Sequence, residues 1–129
     1  MPRPTRQPYF WLASYAIWFG VLWWLSSRKP DFPPDLTFQY SDKVLHFGYF
    51  FGGAGLLSAF LFRLDPVSPR WGKILLLTVI TCGVVGLIDE WHQSFVPDRS
   101  GNDPADLSAD LIGAFCGALV FRRSHRLIA

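Results

Sequence analysis

Charged residues are scarce in this 129-residue sequence: they make up 17% of it, against 50% hydrophobic and 17% aromatic residues. A soluble domain of this length has too little interior to hide so much apolar surface. Basic residues form no stripe outside the short tails, so we expect no nucleic-acid partner. The length is that of one domain, and there is no internal repeat or low-complexity tract. The sequence therefore predicts a single integral membrane domain over residues 1–129.

Cysteine is also rare, and the usual catalytic motifs are missing. Cys82 and Cys116 both fall inside long apolar blocks, where we expect small packing residues rather than a disulfide. The sequence has no paired-cysteine spacing and no His-Glu-x-x-His, so no standard zinc motif is present. No serine or cysteine is expected beside His46 as a nucleophile. Any hydrolytic chemistry would therefore have to use water directly.

Apolar residues are gathered into four blocks of 17 to 24 residues. At about 1.5 Å per residue each block spans roughly 25 to 36 Å, enough to cross the hydrocarbon core of a membrane. Tryptophan and tyrosine at the block ends are typical of membrane interfaces. The sequence predicts an all-α, antiparallel bundle of four transmembrane helices, at about residues 9–26, 42–62, 72–95 and 104–121.

The first block has an alternative interpretation as a cleaved signal peptide, because Arg3 and Arg6 precede an apolar run. That run is rich in tryptophan and is followed by residues 26–30, which lack a small-x-small cleavage pattern. We therefore expect a retained helix.

Basic residues are distributed unequally between the two sides that four spans define. An excess of lysine and arginine marks the cytoplasmic side, so the sequence predicts cytoplasmic N- and C-termini in a multi-pass protein of the cell membrane. Arg28 and Lys29, on the other side, weigh against this orientation. The larger basic group is Arg3, Arg6, Arg63, Arg70, Lys73, Arg122, Arg123 and Arg126.

Helix-end signals surround the third loop. Pro97 should stop the third helix. Asp103 is typical of an N-cap, Pro104 of a first helical residue, and Asp106 of an acidic group in the first turn.

In three of the blocks, one helix face has polar side chains near one end and glycines further along the helix. At about 100° per residue the members of each face lie close together on the helix circumference. Glycine faces let helices approach closely in a membrane, so the polar groups should point at one another in an outward-facing cluster. Trp91 falls on a different side, and the direction of His92 is left open. The faces are Asp42, His46, Tyr49 and Gly53; Gly83, Gly86, Asp89, Glu90 and Gln93; and Asp106, Asp110, Gly113 and Gly117.

Two segments, DKVLHFGYFF (42–51) and DEWHQSFVPDRSGNDPADLSADLIGAFCG (89–117), resemble the signature regions of the VanZ-like membrane proteins. That family is named for a protein associated with resistance to the glycopeptide antibiotic teicoplanin. Its pattern is Asp-Lys-x-x-His, then Asp-Glu-x-x-Gln, an arginine just past a proline, and an aspartate followed by a polar residue and glycines. The matching positions are Asp42, Lys43, His46, Asp89, Glu90, Gln93, Arg99, Asp106, Asp110, Gly113 and Gly117.

The sequence departs from the family pattern at two positions: many members have asparagine in place of Asp110 and glycine in place of Asp98. The first departure adds an acidic group to the cluster, and the second alters the turn before Arg99. The resemblance implies a small polytopic membrane protein of the cell envelope with a link to antibiotic resistance, but it does not specify a reaction.

The expected cluster is compatible with three functions. As a binding site it would hold the head group of a membrane lipid or lipid-linked envelope precursor, or a glycopeptide, with Arg99 and Lys43 able to hold a phosphate or carboxylate. As a structural lock it would only tie helices together, at roughly 0.6 kcal/mol per hydrogen bond. The expected binding residues are Asp42, Lys43, Gln93, Arg99, Asp106 and Asp110.

The third function is enzymatic. His46 with Asp89 or Glu90 would form a general acid–base pair, because crowded carboxylates shielded from water acquire the proton affinities that such chemistry needs. A metal held by His46, Asp89, Glu90 and Asp106 could assist, since histidine with carboxylates suits zinc, manganese or iron. The sequence does not say which metal or other cofactor, if any, is used.

Overall fold

A computed structural model describes residues 3–28, 41–97 and 101–129, and within those ranges the chain is helical with no β-strand. This confirms the all-α, four-helix prediction. The helices are α1 (Pro8–Ser26), α2 (Ser41–Leu64), α3 (Trp71–Gln93) and α4 (Pro104–Ser124), with short 3-10 turns at Pro4–Arg6 and His125–Leu127.

Close packing of α2 against α4 forms the centre of the bundle. A Cβ atom added at Gly113 or Gly117 would meet the backbone carbonyl oxygens of Phe47 and Phe51. Only glycine leaves room for backbones this close, as expected for helices that associate in a membrane. The expected glycine face of the fourth helix is thus present.

Helix α1 is held against α2 by a reciprocal aromatic contact. The indole Nε1 of Trp18 donates to the Tyr49 carbonyl oxygen (3.1 Å), and the Tyr49 hydroxyl donates to the Trp18 carbonyl oxygen (2.6 Å). A Cβ atom at Gly53 would run into the Trp18 ring. Tyr49 and Gly53 therefore face α1, and only the Asp42 and His46 end of that predicted face points toward α4.

Helix α1 extends along the whole bundle. At one end the Thr5 carbonyl oxygen accepts from Arg63 Nε at the end of α2 (2.9 Å). At the other end the Ser26 hydroxyl donates to Asp89 at the end of α3. Helices α1 and α3 therefore end on the same side of the bundle, where α2 and α4 begin.

Among the residues that the structure describes, three helical segments are long and apolar enough to cross a membrane: Asp42–Leu64, Trp71–Gln93 and Pro104–Leu127. Between 28% and 39% of each apolar window is buried inside the protein, so most of this hydrophobic surface faces outward. Exposed Leu76, Ile80 and Leu87 on α3 illustrate this surface, which hydrocarbon rather than water would cover. Helix α1, with its many tryptophans, is not among the three, and the number of membrane passes stays a prediction.

Three predicted helix ends need correction. The second helix continues two residues beyond 62, to Leu64. The third helix ends at Gln93 rather than residue 95, because the Phe95 and Val96 amides bond to carbonyls three residues back, as a 3-10 turn does, before Pro97. The fourth helix continues three residues beyond 121, to Ser124.

Candidate functional site: a buried acidic cluster

Polar side chains from all four helices meet at the end of the bundle where α1 and α3 end. We call this group the acidic cluster. It contains every predicted site residue except Arg99, which lies outside the described residues. Its members are Ser26, Asp42, Lys43, His46, Asp89, Glu90, Gln93, Asp103, Asp106 and Asp110.

His46 and Asp110 form the innermost pair of the cluster. His46 Nδ1 lies 2.7 Å from Asp110 Oδ1, and the two residues are 8% and 0% exposed. The other ring nitrogen, Nε2, lies 3.7 Å from both Asp42 Oδ1 and Asp106 Oδ2. This is too far for a good hydrogen bond, so Nε2 faces carboxylates without binding them directly.

Lys43 neutralises one side of the cluster. Its ammonium lies 2.5 Å from Asp106, 2.9 Å from Asp103 and 3.4 Å from Asp42. The hydrogen bond from Lys43 holds the pKa of Asp103 below its usual range. An ammonium has three N–H donors, and here each of them has a carboxylate neighbour. The prediction that it holds a ligand phosphate remains untested.

Asp89 is anchored by hydroxyl and amide groups. The Ser26 hydroxyl donates to Asp89 Oδ1, and Gln93 Nε2 donates to Oδ2 at 2.9 Å. All three side chains are almost fully buried. Since Ser26 belongs to α1, the first helix contributes to the site, which the predicted three-helix face did not include.

Glu90 is positioned by residues 101–103, just before α4, which lie against the end of α3. Its Oε2 accepts from the Asp103 amide (3.0 Å), and its carbonyl oxygen accepts from the Asn102 amide. Asn102 has the left-handed φ of 57°, a conformation that asparagine tolerates well. A Cβ atom at Gly101 would meet the backbone of Glu90 and Ser94, so this contact requires glycine.

Two carboxylate oxygens inside the cluster lack a hydrogen-bond partner among the described residues: Oε1 of Glu90 and Oδ2 of Asp110. Their residues are 3% and 0% exposed. A buried polar atom without a partner costs about 1–3 kcal/mol, and more when it is charged. These oxygens are therefore the places where the cluster could accept an additional group.

Two sets of side chains have spacings that could hold a metal ion. One is Asp42, His46 and Asp106, and the other is His46, Asp89 and Glu90. In each set the potential ligand atoms lie within 4.8 Å of one another. The metal ligands predicted from the sequence are thus adjacent, although they divide into two overlapping sets around His46.

Sequence reasoning missed two members of the cluster, Ser26 and the side chain of Asp103. Ser26 could have been found, because Tyr15, Trp18, Leu22 and Ser26 follow helical spacing and form the buried face of α1. Asp103 is the N-cap of α4 as expected, accepting from the Ala105 amide. Its second oxygen binds Lys43, and local capping rules do not predict that contact.

His92 lies outside the acidic cluster. Its ring stacks on Trp23 (centroids 3.7 Å apart), and its Nε2 lies 2.9 Å from the Ser27 hydroxyl oxygen. That hydroxyl donates to the Trp23 carbonyl oxygen. The Ser27 hydroxyl thus donates its hydrogen bond to the backbone and not to His92, so the pair is not arranged as a nucleophile and its base.

The chain matches one family along nearly its whole length: the model of the VanZ/LLP1 family covers residues 6–127. An uncharacterized protein of Schizosaccharomyces pombe is 33% identical over 112 residues, which are 86% of this chain and 64% of that protein. The chain thus spans somewhat less than two thirds of that relative. No solved structure matches the chain significantly. With the polar signature residues that the structure describes gathered in one cluster of a four-helix membrane protein, the chain belongs to the VanZ/LLP1 family.

Proposed function

We propose that the acidic cluster binds the phosphate-bearing head group of a membrane lipid or lipid-linked envelope precursor. The carrying observation is the pair of buried, unpartnered oxygens on Glu90 and Asp110 beside His46. These carboxylate oxygens accept hydrogen bonds, so they would bind hydroxyl groups of the head group or a cation that accompanies its phosphate. Structural packing alone would favour satisfying such atoms or removing them. Their retention supports a site that is completed by something the chain itself does not supply.

The position of the cluster supports a lipid ligand. It lies at the ends of helices whose outer surfaces are apolar, which is the depth of a lipid head group. The opposite end of the bundle carries Arg63, Arg70, Lys73 and Arg122, and an excess of basic residues marks the cytoplasmic side. We therefore place the cluster at the outer face of the cell membrane, with four passes and cytoplasmic termini.

The relative in Schizosaccharomyces pombe favours a chemistry not confined to bacteria. Lipid phosphates occur in all cell membranes, so they suit such a family better than a glycopeptide antibiotic does. In a bacterial host, an effect on teicoplanin resistance would then follow indirectly, through a lipid-linked envelope precursor held at the outer face.

The test compares two lipids that differ only in phosphate. The full chain is purified in detergent and titrated with dioctanoyl phosphatidic acid or dioctanoylglycerol, and bound lipid is measured by native mass spectrometry. We expect at least ten-fold tighter binding of the phosphate lipid. Equal binding of the two lipids would overturn the proposal.

Two substitutions test whether the acidic cluster is responsible for the preference for the phosphate lipid. Glu90→Gln and His46→Gln should each change the phosphate preference, because each alters the charge and the hydrogen-bonding groups beside the unfilled position. Asp65→Asn, an exposed change at the opposite end, is the matched control and should leave it unchanged. A preference that survives both cluster variants would place lipid binding elsewhere.

A specific observation supports a second candidate, hydrolysis of the bound head group. His46 is oriented by Asp110 through Nδ1, while Nε2 remains directed at carboxylates 3.7 Å away. A base held by a carboxylate, with its other nitrogen available, is the arrangement that activates water in acid–base catalysis. Release of inorganic phosphate from dioctanoyl phosphatidic acid, lost in His46→Gln, would support turnover. Intact lipid after prolonged incubation would leave binding alone.

A further inference from the structure

We propose that His46, Asp89 and Glu90 bind a divalent transition-metal ion, with Asp110 orienting His46. This deepens the proposed function and rests on it, because the ion would contact the head-group phosphate. The potential ligand atoms, one from each of the three side chains, lie within 4.8 Å of one another. Ligands about 2.1 Å from one ion in a tetrahedral site are about 3.4 Å from one another. Closing the set around an ion thus needs each ligand atom to move inward by less than about 1 Å.

The unpartnered oxygen of Glu90 is the independent observation that points to a missing ligand. Glu90 is 3% exposed, and its Oε1 has no hydrogen-bond partner among the described residues. The same carboxylate is held from behind, because its Oε2 accepts from the Asp103 amide. One oxygen is therefore fixed in place and the other is left without a partner, as in a carboxylate prepared to bind a metal.

The alternative set, Asp42, His46 and Asp106, already has a cation. Lys43 contacts both of those aspartates, and its ammonium would repel a second positive ion there. Among the described residues, Glu90 forms no ion pair with lysine, arginine or histidine. Glu90 thus has no competing cation among these residues, whereas Asp106 does.

The His46–Asp110 pair has the form of a ligand and its supporting carboxylate. A metal-binding histidine usually donates its other ring N–H to a carboxylate, which fixes the ring and its tautomer. Nδ1 of His46 is bonded to Asp110 at 2.7 Å.

The ligand types restrict the ion. A histidine nitrogen with two carboxylates suits Zn²⁺, Mn²⁺ or Fe²⁺, whereas Ca²⁺ and Mg²⁺ sites are built from oxygen. Three protein ligands leave at least one coordination position open. An ion here would also explain how a cluster of carboxylates can attract a phosphate, since the metal supplies the positive charge.

The experiment titrates Mn²⁺ into the full chain, purified in detergent and stripped with a chelator, and follows free Mn²⁺ by electron paramagnetic resonance. We expect one saturable site in the native chain and at least ten-fold weaker binding in Glu90→Gln. Asp65→Asn is the matched control, since it removes an exposed carboxylate at the opposite end of the bundle, and it should bind within about two-fold of the native chain. Cobalt(II) absorption provides a second readout that is sensitive to a histidine ligand, and His46→Gln should change it.

The possible outcomes distinguish failure of the metal site from failure of the proposed lipid binding. No saturable Mn²⁺ binding, or equal binding by Glu90→Gln, would overturn the metal site, as would binding that Asp65→Asn weakens as much as Glu90→Gln does. Phosphatidic acid binding that persists in excess chelator would overturn the ion's role while leaving the proposed function intact. Saturable Mn²⁺ binding without any preference for phosphate lipid would uphold the metal site and reject the head-group function.

Discussion

Gly113 of α4 lies directly against the backbone carbonyl oxygen of Phe47 on α2. Phe47 follows His46 in α2, and Asp110 precedes Gly113 by one helical turn. The contact therefore sets the distance between the backbones that carry the His46–Asp110 pair. Helix packing and the geometry of the acidic cluster depend on the same glycine.

Replacing Gly113 with alanine should destabilise the protein, because the new methyl group would overlap the Phe47 carbonyl and push α2 away from α4. We expect a loss of about 1–3 kcal/mol, the usual cost of overpacking. Gly52→Ala is the control: nothing lies within 4 Å of the added methyl, so its melting temperature should stay the same or rise. Thermal unfolding in one detergent measures both. An unchanged melting temperature for Gly113→Ala would show that the helices are not in close contact there.

Removing the ammonium of Lys43 should destabilise the acidic cluster. Lys43→Met would leave Asp106, which is 2% exposed, without its cation. Breaking a fully buried pair costs about 3–5 kcal/mol, and partial exposure of Lys43 reduces the expected loss to roughly 1–3 kcal/mol. The double change Lys43→Met with Asp106→Asn should recover part of it, because no buried charge is then left. Lys73→Met at the opposite end should have little effect on thermal unfolding.

Ser26→Ala tests whether α1 belongs to the site. The serine hydroxyl donates to Asp89 and lies 3.4 Å from Gln93 Nε2. Losing a hydrogen bond to a buried carboxylate should cost about 1.5–3 kcal/mol. The exposed neighbour Ser27 provides the control, and Ser27→Ala should cost less. Equal melting temperatures for the two variants would mean that the first helix does not contribute to the cluster.

Glu90→Gln distinguishes a binding site from a structural lock. If the cluster mainly held the helices together, the substitution would lower the melting temperature. In a site awaiting a ligand, an unsatisfied carboxylate is itself a stability cost. We therefore expect Glu90→Gln, measured without added metal, to unfold at the native temperature or above it. A fall equivalent to more than about 1 kcal/mol would favour the structural lock.

The sequence is most informative about the helices and least informative about which helix each face contacts. Apolar block length places all four helices, with errors only at ends such as residue 93, where a 3-10 turn intervenes. Helical periodicity brings Asp42 and His46 to one face correctly. It fails for Tyr49, because angular position cannot reveal that the bulky Trp18 of α1 occupies that part of α2.

His92 and His125 show a similar limit. The sequence leaves the direction of His92 open, and it predicts a solvated position for His125 in the basic C-terminal tail. The structure stacks the first on Trp23 and packs the second, partly buried, against Phe62 and Trp71. Both contacts join residues far apart in the chain, so no local pattern predicts them. Lys43 binding Asp103 across the bundle is another such case.

Orientation in the membrane is the last feature that can be tested directly. Single cysteines are introduced at Ser68, in the loop between α2 and α3, and at Ser94, just after α3; both side chains are exposed. Because basic residues favour the cytoplasmic side, a membrane-impermeant maleimide added to intact cells should label Ser94→Cys and leave Ser68→Cys unmodified. The native cysteines are replaced by alanine, and permeabilised cells, in which both positions should react, provide the control. Labelling of Ser68→Cys alone would place the acidic cluster at the inner face, where an outer-leaflet lipid precursor could not reach it.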